Sequence, residues 1–133
     1  MSAVVADTHA AIWYLLNSPR LSTAALSAME TALQGGSPIY VASISLVEVT
    51  YLVEKGKLSS TALQRLEAAL IQPKSGFVTA PLDLMVAQNL RHIARADVPD
   101  MPDRIIAATA YSLGLAVVTR DGKIRTSGVA TIW

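Results

Sequence analysis

Ala3-Val4-Val5-Ala6 and Leu115-Ala116-Val117-Val118 carry no polar side chain, and each ends within three residues of an aspartate. A strand covered by helices on both faces reads as such a continuous apolar run, whereas a strand with one wet face alternates. Ile39-Tyr40-Val41, Phe77-Val78-Thr79 and Val129-Ala130-Thr131-Ile132 are further strand candidates. One or two segments with helical spacing separate each pair of strands. That alternation predicts a three-layer α/β/α fold with a mostly parallel central sheet of four to five strands and helices on both faces. Residues 1–133 read as a single domain, with no internal repeat, linker or low-complexity segment.

The helices follow from apolar spacing and from their stop signals. Ala10, Ile12, Trp13, Leu15 and Leu16 mark a first helix ending near Asn17-Ser18-Pro19, and residues 21–33 a second, capped by Ser22 or Thr23 and stopped at Gly35-Gly36. Leu46, Val49, Leu52 and Val53 define a helix from Ser45 to Gly56, and Leu63, Leu66, Leu70 and Ile71 one opened by Ser59 or Ser60. Residues 81–95 form the next. Pro102 begins a last helix through Ile105, Ile106, Thr109, Ala110 and Leu113, with Gly114 as its terminating residue. Asp121-Gly122 reads as a turn.

Composition narrows the chemistry. With no cysteine, disulfides, thiolate nucleophiles and cysteine-based metal sites are excluded, and a cytosolic (cytoplasmic) location fits. No apolar run approaches the roughly 20 residues a membrane span requires. The opening Met1-Ser2-Ala3-Val4-Val5-Ala6 lacks a basic segment and is interrupted by Asp7, so it does not read as a secretory signal. The net charge of +1 permits a nucleic-acid partner without arguing for one.

The chain has 10 acidic residues, and four of them, Asp7, Glu48, Asp103 and Asp121, fall just after a strand or in the first turn of the following helix. In an open α/β sheet those places line one edge, where ligands bind. Each has an ordinary structural explanation. Asp7 can cap a helix, Ser45-Leu46-Val47-Glu48 is a capping box, Asp103 beside Pro102 suits the positive end of a helix dipole, and Asp121-Gly122 is a common turn. Capping is served equally by Ser, Thr or Asn, however, so four carboxylates at four such places call for a further reason. Gathered together they would repel one another unless a multivalent cation lay among them. Carboxylate oxygens suit Mg²⁺ or Mn²⁺; zinc would prefer His or Cys, and His9 and His92 form no ligand-spaced pair.

These residues also fall into a known pattern. Ala6-Asp7-Thr8-His9-Ala10-Ala11-Ile12-Trp13 resembles the opening motif of PIN-domain proteins, in particular the VapC-type toxins. Ser43-Ile44-Ser45-Leu46-Val47-Glu48 is similar to that family's approach to its Glu. Pro102-Asp103-Arg104-Ile105-Ile106 resembles its Asp-Arg helix opening, and Val118-Thr119-Arg120-Asp121-Gly122-Lys123 its final acidic motif. The resemblance runs from the first strand to the last. It implies a PIN-like fold and a Mg²⁺- or Mn²⁺-dependent endoribonuclease acting on an RNA substrate, forming a homodimer and inhibited by a cognate VapB-like antitoxin. It also implies that Asp7, Glu48, Asp103 and Asp121 are the metal-site acids and that Thr119 is the hydroxyl residue near the last of them. The run Asp100-Met101-Pro102-Asp103-Arg104 places its proline one residue later than the family's usual order, which leaves the helix start and the role of Asp100 open.

Phosphate contacts would come from Arg104, Arg120, Lys123 and Arg125, which flank two of the acids. His9 reads as a helix-surface or packing residue directed away from Asp7, and Trp13, Tyr14 and Tyr51 as core or interface. The helices at 21–33 and 46–54 would offer apolar surface to an antitoxin or a second protomer. A haloacid-dehalogenase-type phosphatase needs a second Asp where this chain has His9, and a receiver domain needs an acceptor Asp where Ala42-Ser43 stands. The remaining alternative is a PIN-like module that binds RNA or protein without cleaving it.

Overall fold

In the computed structural model, which describes residues 2–133, the first apolar run becomes the middle strand of a five-stranded sheet. The elements are β1 (Val4–Ala6), α1 (Thr8–Leu15), α2 (Thr23–Gln34), β2 (Ile39–Ala42), α3 (Ser43–Glu54), α4 (Ser60–Ile71) and β3 (Phe77–Ala80). They continue with α5 (Leu84–Asn89), a 3-10 turn (Leu90–His92), α6 (Met101–Leu113), β4 (Val117–Val118), α7 (Gly122–Arg125) and β5 (Thr131–Ile132). The strand order is β3-β2-β1-β4-β5 and every pairing is parallel.

The sheet buries both faces because its side chains alternate. Val4, Ala6, Ile39, Val41 and Val118 enter one core with Trp13, Met29 and Leu66 from α1, α2 and α4. Val5, Ala42 and Val117 enter the other with Val86, Ile106 and Ala107 from α5 and α6. Connections leave β1 toward β2 and β3 on one side, while β4 and β5 add on the other. The strand order therefore reverses between β1 and β4, and a crevice opens there at the carboxyl ends of the strands.

Several boundaries differ from the sequence expectation. β4 and β5 have two residues each where four were expected, and α6 begins at Met101 rather than Pro102. Three further differences change what a side chain does. The helix placed from Ser45 begins two residues earlier, directly after β2 with Ala42 as its cap residue. Ser45 thus sits inside the helix, and the Ser45–Glu48 capping box does not form. The helix expected over 81–95 is shorter, because Asp83 caps it through Oδ1 (Val86 N–H, 3.0 Å) and Asn89 leads into the 3-10 turn. The Asp121-Gly122 turn opens a short helix, α7, whose first amides are bound by the Asp121 carboxylate. Among the described residues no helix is long and apolar enough to cross a membrane.

Gly76 enters β3 with φ +83, and a Cβ there would meet the Leu33 side chain at the end of α2. Its carbonyl also accepts the Ile39 amide at 2.9 Å, which aligns β2 beside β3. Gly76→Ala should therefore lower stability by about 2 kcal/mol, combining left-handed backbone strain with displacement of Leu33. Denaturant titration measures this, and an unchanged midpoint would contradict it.

Candidate active site

The crevice between β1 and β4 holds a cavity of about 420 Å³ whose wall includes Asp7, Glu48, Asp100, Asp103 and Asp121. Each reaches it by a different local device. Asp7 follows β1 and caps α1, its Oδ1 accepting the Ala10 amide at 2.8 Å. Its other oxygen accepts the hydroxyl proton of Thr119, a buried residue directly after β4. Thr119 Oγ1 also accepts the Asp121 amide at 3.0 Å, so one side chain orders both loops of the switch point. Asp121 in turn caps α7 through Lys123 N–H at 2.8 Å and Ile124 N–H at 3.4 Å.

Glu48 lies in the interior of α3, where its helix cannot hold it. Thr8 does so instead, donating to Glu48 Oε1 at 2.5 Å and bonding the buried Ser45 hydroxyl at 2.9 Å. Asp103 stands in the first turn of α6, and Asp100 caps that helix by accepting the Asp103 amide at 3.2 Å. Capping and site-lining are therefore compatible, and Asp7, Asp100 and Asp121 do both.

Burial and neighbouring acids raise the proton affinity of Asp103 and Asp7. Burial pushes the Asp103 carboxyl up to about 8, helped by contact with the Asp121 carboxylate and by the charges of Asp100, Asp121 and Glu48. Asp7 is also raised, first by burial and slightly by Asp121. The Thr119 hydroxyl, the Ala10 amide and His9 oppose that rise.

The basic residues are distributed less simply than the sequence suggests. Arg120 is exposed and lines the cavity, its guanidinium carbon 4.8 Å from the centre of the Trp13 ring. Arg104, expected at the rim as a phosphate contact, is instead turned into the structure. It donates through Nε to the Ile93 carbonyl at 2.8 Å and through Nη2 to the Leu90 carbonyl at 3.1 Å, tying α6 to the 3-10 turn. Lys123 and Arg125 lie on α7 outside the cavity wall. Arg104→Ala should cost about 2 kcal/mol, since two carbonyls lose a charged donor, and Arg104→Lys should not restore it because an ammonium cannot span both. A thermal melt tests this; wild-type stability in Arg104→Ala would refute it.

Sequence reasoning missed three parts of the wall. Arg20, in the connection between α1 and α2, lines the cavity, though nothing local sets it apart from other surface arginines. Thr8 was visible only as a helix start, yet it positions Glu48. His9 and Trp13, assigned to packing, both face the cavity, with their rings 5.5 Å apart.

The PIN domain family matches residues 4–128. Ribonuclease VapC22 of Mycobacterium tuberculosis (strain ATCC 25618 / H37Rv) is 32% identical over 125 residues, covering 94% of this chain and 92% of that protein. In structure, the chain is similar to VapBC2 from Rickettsia felis, solved bound to a DNA fragment from their promoter, with TM-score 0.71, 17% identity and coverage of 98% and 97% of the two chains. It is likewise similar to DNA-bound VapBC from Salmonella typhimurium, with TM-score 0.69, 24% identity and coverage of 98% and 97%.

Proposed function

This chain belongs to the PIN-domain family, and from that premise we propose that it is a divalent-metal-dependent endoribonuclease and the toxin of a VapBC-type toxin–antitoxin pair, acting in the cytoplasm. The observation that carries the reading is the meeting of Asp7, Glu48, Asp103 and Asp121 in one cavity, in a chain 32% identical to a named ribonuclease.

The donor set suits a hard divalent cation, since it offers carboxylates and hydroxyls and no thiol. The raised Asp103 carboxyl supports this, because crowded carboxylates that hold a proton against their usual preference are relieved by a positive ion. Among the described residues no three acids or histidines stand as a preformed ligand cluster. Asp7, Glu48, Asp103 and Asp121 would hold Mg²⁺ or Mn²⁺. When bound, such an ion neutralises charge on a phosphate and acidifies water.

The chain's own residues contribute orientation and proton traffic. Thr119 and the Ala10 amide hold Asp7 in one rotamer, and Thr8 holds Glu48. Arg120 and Arg20 are placed to meet the phosphates of an RNA strand. A water oxygen would attack phosphorus, and a carboxylate of the cluster would receive its proton. The P–O bond to the leaving oxygen would break as that oxygen takes a proton from a protonated carboxyl of the cluster or from solvent water. A VapB-like antitoxin and a second protomer would cover apolar side chains left exposed on the helices, Leu26 on α2 and Val47 and Tyr51 on α3.

Incubating the purified chain with total RNA, in Mg²⁺ or Mn²⁺ and in EDTA, tests the reading. Discrete fragments should form with either metal and none in EDTA. Cleavage that persists in the chelator would sink it, and a specific RNA shift without cleavage would favour the binding module.

A further inference from the structure

Arg20 and Arg120 share the cavity wall with the acids. Among the described residues neither side chain makes a hydrogen bond or ion pair. Arg65, Arg91 and Arg104 donate to backbone carbonyls, whereas the exposed Arg95 and Arg125 share the lack of a side-chain hydrogen bond among the described residues, so what sets Arg120 apart is its place beside carboxylates. An arginine adjacent in sequence to Asp121 and sharing a cavity with Asp7, Glu48 and Asp103 has strong reason to fold onto a carboxylate. Arg120 does not, and its one ordered contact is with the face of Trp13. Trp13 is itself immobilised, being 7% exposed and set against His9 at 5.5 Å and Trp133 at 5.9 Å.

We propose that Trp13 is a positioning residue that parks the Arg120 guanidinium on its ring, keeping the cation clear of the carboxylates and presenting it to a backbone phosphate of the RNA strand entering the cavity. The proposal rests on the ribonuclease reading and adds a substrate-positioning device to it. A guanidinium held over the ring by its carbon keeps all five N–H donors in its own plane, where a phosphate can take two of them at once. Trp133 acts one step further back, by fixing the tilt of Trp13.

The test measures binding separately from cleavage. In an Asp103→Asn background, a short fluorescent single-stranded RNA of mixed sequence is titrated at several salt concentrations. Arg120→Gln should weaken binding by about 5–10-fold and reduce the salt slope by about 0.7, the signature of one lost phosphate contact on a single strand. Trp13→Leu should reproduce that loss, Trp13→Phe should restore most of the affinity, and neither should matter once Arg120→Gln is present. Trp133→Leu decides the matter if Trp13→Leu does not fold. Lys57→Gln, on the turn after α3, should leave the slope unchanged.

Independent, multiplying effects of Trp13→Leu and Arg120→Gln would overturn the proposal. So would an unchanged slope in Arg120→Gln, or no binding of the probe. Wild-type cleavage of RNA is scored separately, so a failed nuclease assay beside an intact Arg120–Trp13 coupling would discard the activity and keep the clamp.

Discussion

Asp7→Asn lowers kcat/KM for RNA cleavage by about 10²–10³-fold or more while leaving the fold in place. The amide keeps one structural duty of the carboxylate and reverses the other, so the buried Thr119 hydroxyl proton loses its acceptor while a buried charge is also removed. Its oxygen still accepts the Ala10 amide, and its NH₂ can donate to Thr119 Oγ1, which accepts the Asp121 amide in the present arrangement. What disappears is a negative charge at the switch point between β1 and β4. The proton affinity of Asp7 is already raised by burial, so removing that charge does not destabilise the chain in the absence of a cation. A melt near the wild-type temperature, paired with the loss of cleavage, separates a charge requirement from a folding defect. Cleavage within about tenfold of wild type would remove Asp7 from the mechanism.

Stability of the chain in EDTA falls as pH rises from about 4 to about 8, and Asp103→Asn flattens that fall. The Asp103 carboxyl titrates at about 8 in the folded protein and near its ordinary 3.8 once unfolded. Between those values the native state binds more protons than the unfolded state, so each increment of pH favours unfolding. Below 3.8 both states are protonated and the effect is absent; above 8 it is complete. Asp103 is partly exposed, so solvent screening reduces the contribution well below what the shift alone would give. A gain of about 1–2 kcal/mol for Asp103→Asn at pH 8 remains, several degrees in Tm for a domain of this size. Saturating Mg²⁺ or Mn²⁺ should raise the wild-type Tm at pH 8 and leave that of the variant nearly unchanged. A wild-type Tm that climbs with pH in EDTA would contradict the crowding of carboxylates described above.

The sheet was legible because its strands are buried on both faces: Val4-Val5-Ala6 and Val117-Val118 carry no compensating polar residue and are short and rich in β-branched valine, unlike the apolar runs inside α5 and α6, which continue in helical spacing. The four acids were legible for a related reason, since parallel topology brings strand ends and helix starts to one edge whatever the helices contain. The structure places all four on one cavity wall. What stayed hidden depends on side-chain direction. Arg104 sits beside Asp103 in sequence, yet its helix turns it toward the carbonyls of Leu90 and Ile93. Ser45 and Glu48 have the spacing of a capping box, but β2 passes into α3 without a gap, so the Ser45 hydroxyl bonds Thr8 from the adjacent helix instead. Arg20 belongs to no motif, and only the path of the α1–α2 connection brings it to the cavity.

The bond from Thr119 to Asp7 joins residues 112 positions apart. A ribosome emits Asp7 early and Thr119 and Asp121 more than a hundred codons later. Until those last residues emerge, the first aspartate has no hydroxyl to orient it and the crevice lacks one side. A growing polypeptide of this kind therefore carries an incomplete crevice until residues 119–121 have been made and packed against the end of β1. By that time α2 and α3 have long been outside the exit tunnel, so an inhibitor that grips those helices has its handle before there is anything to inhibit.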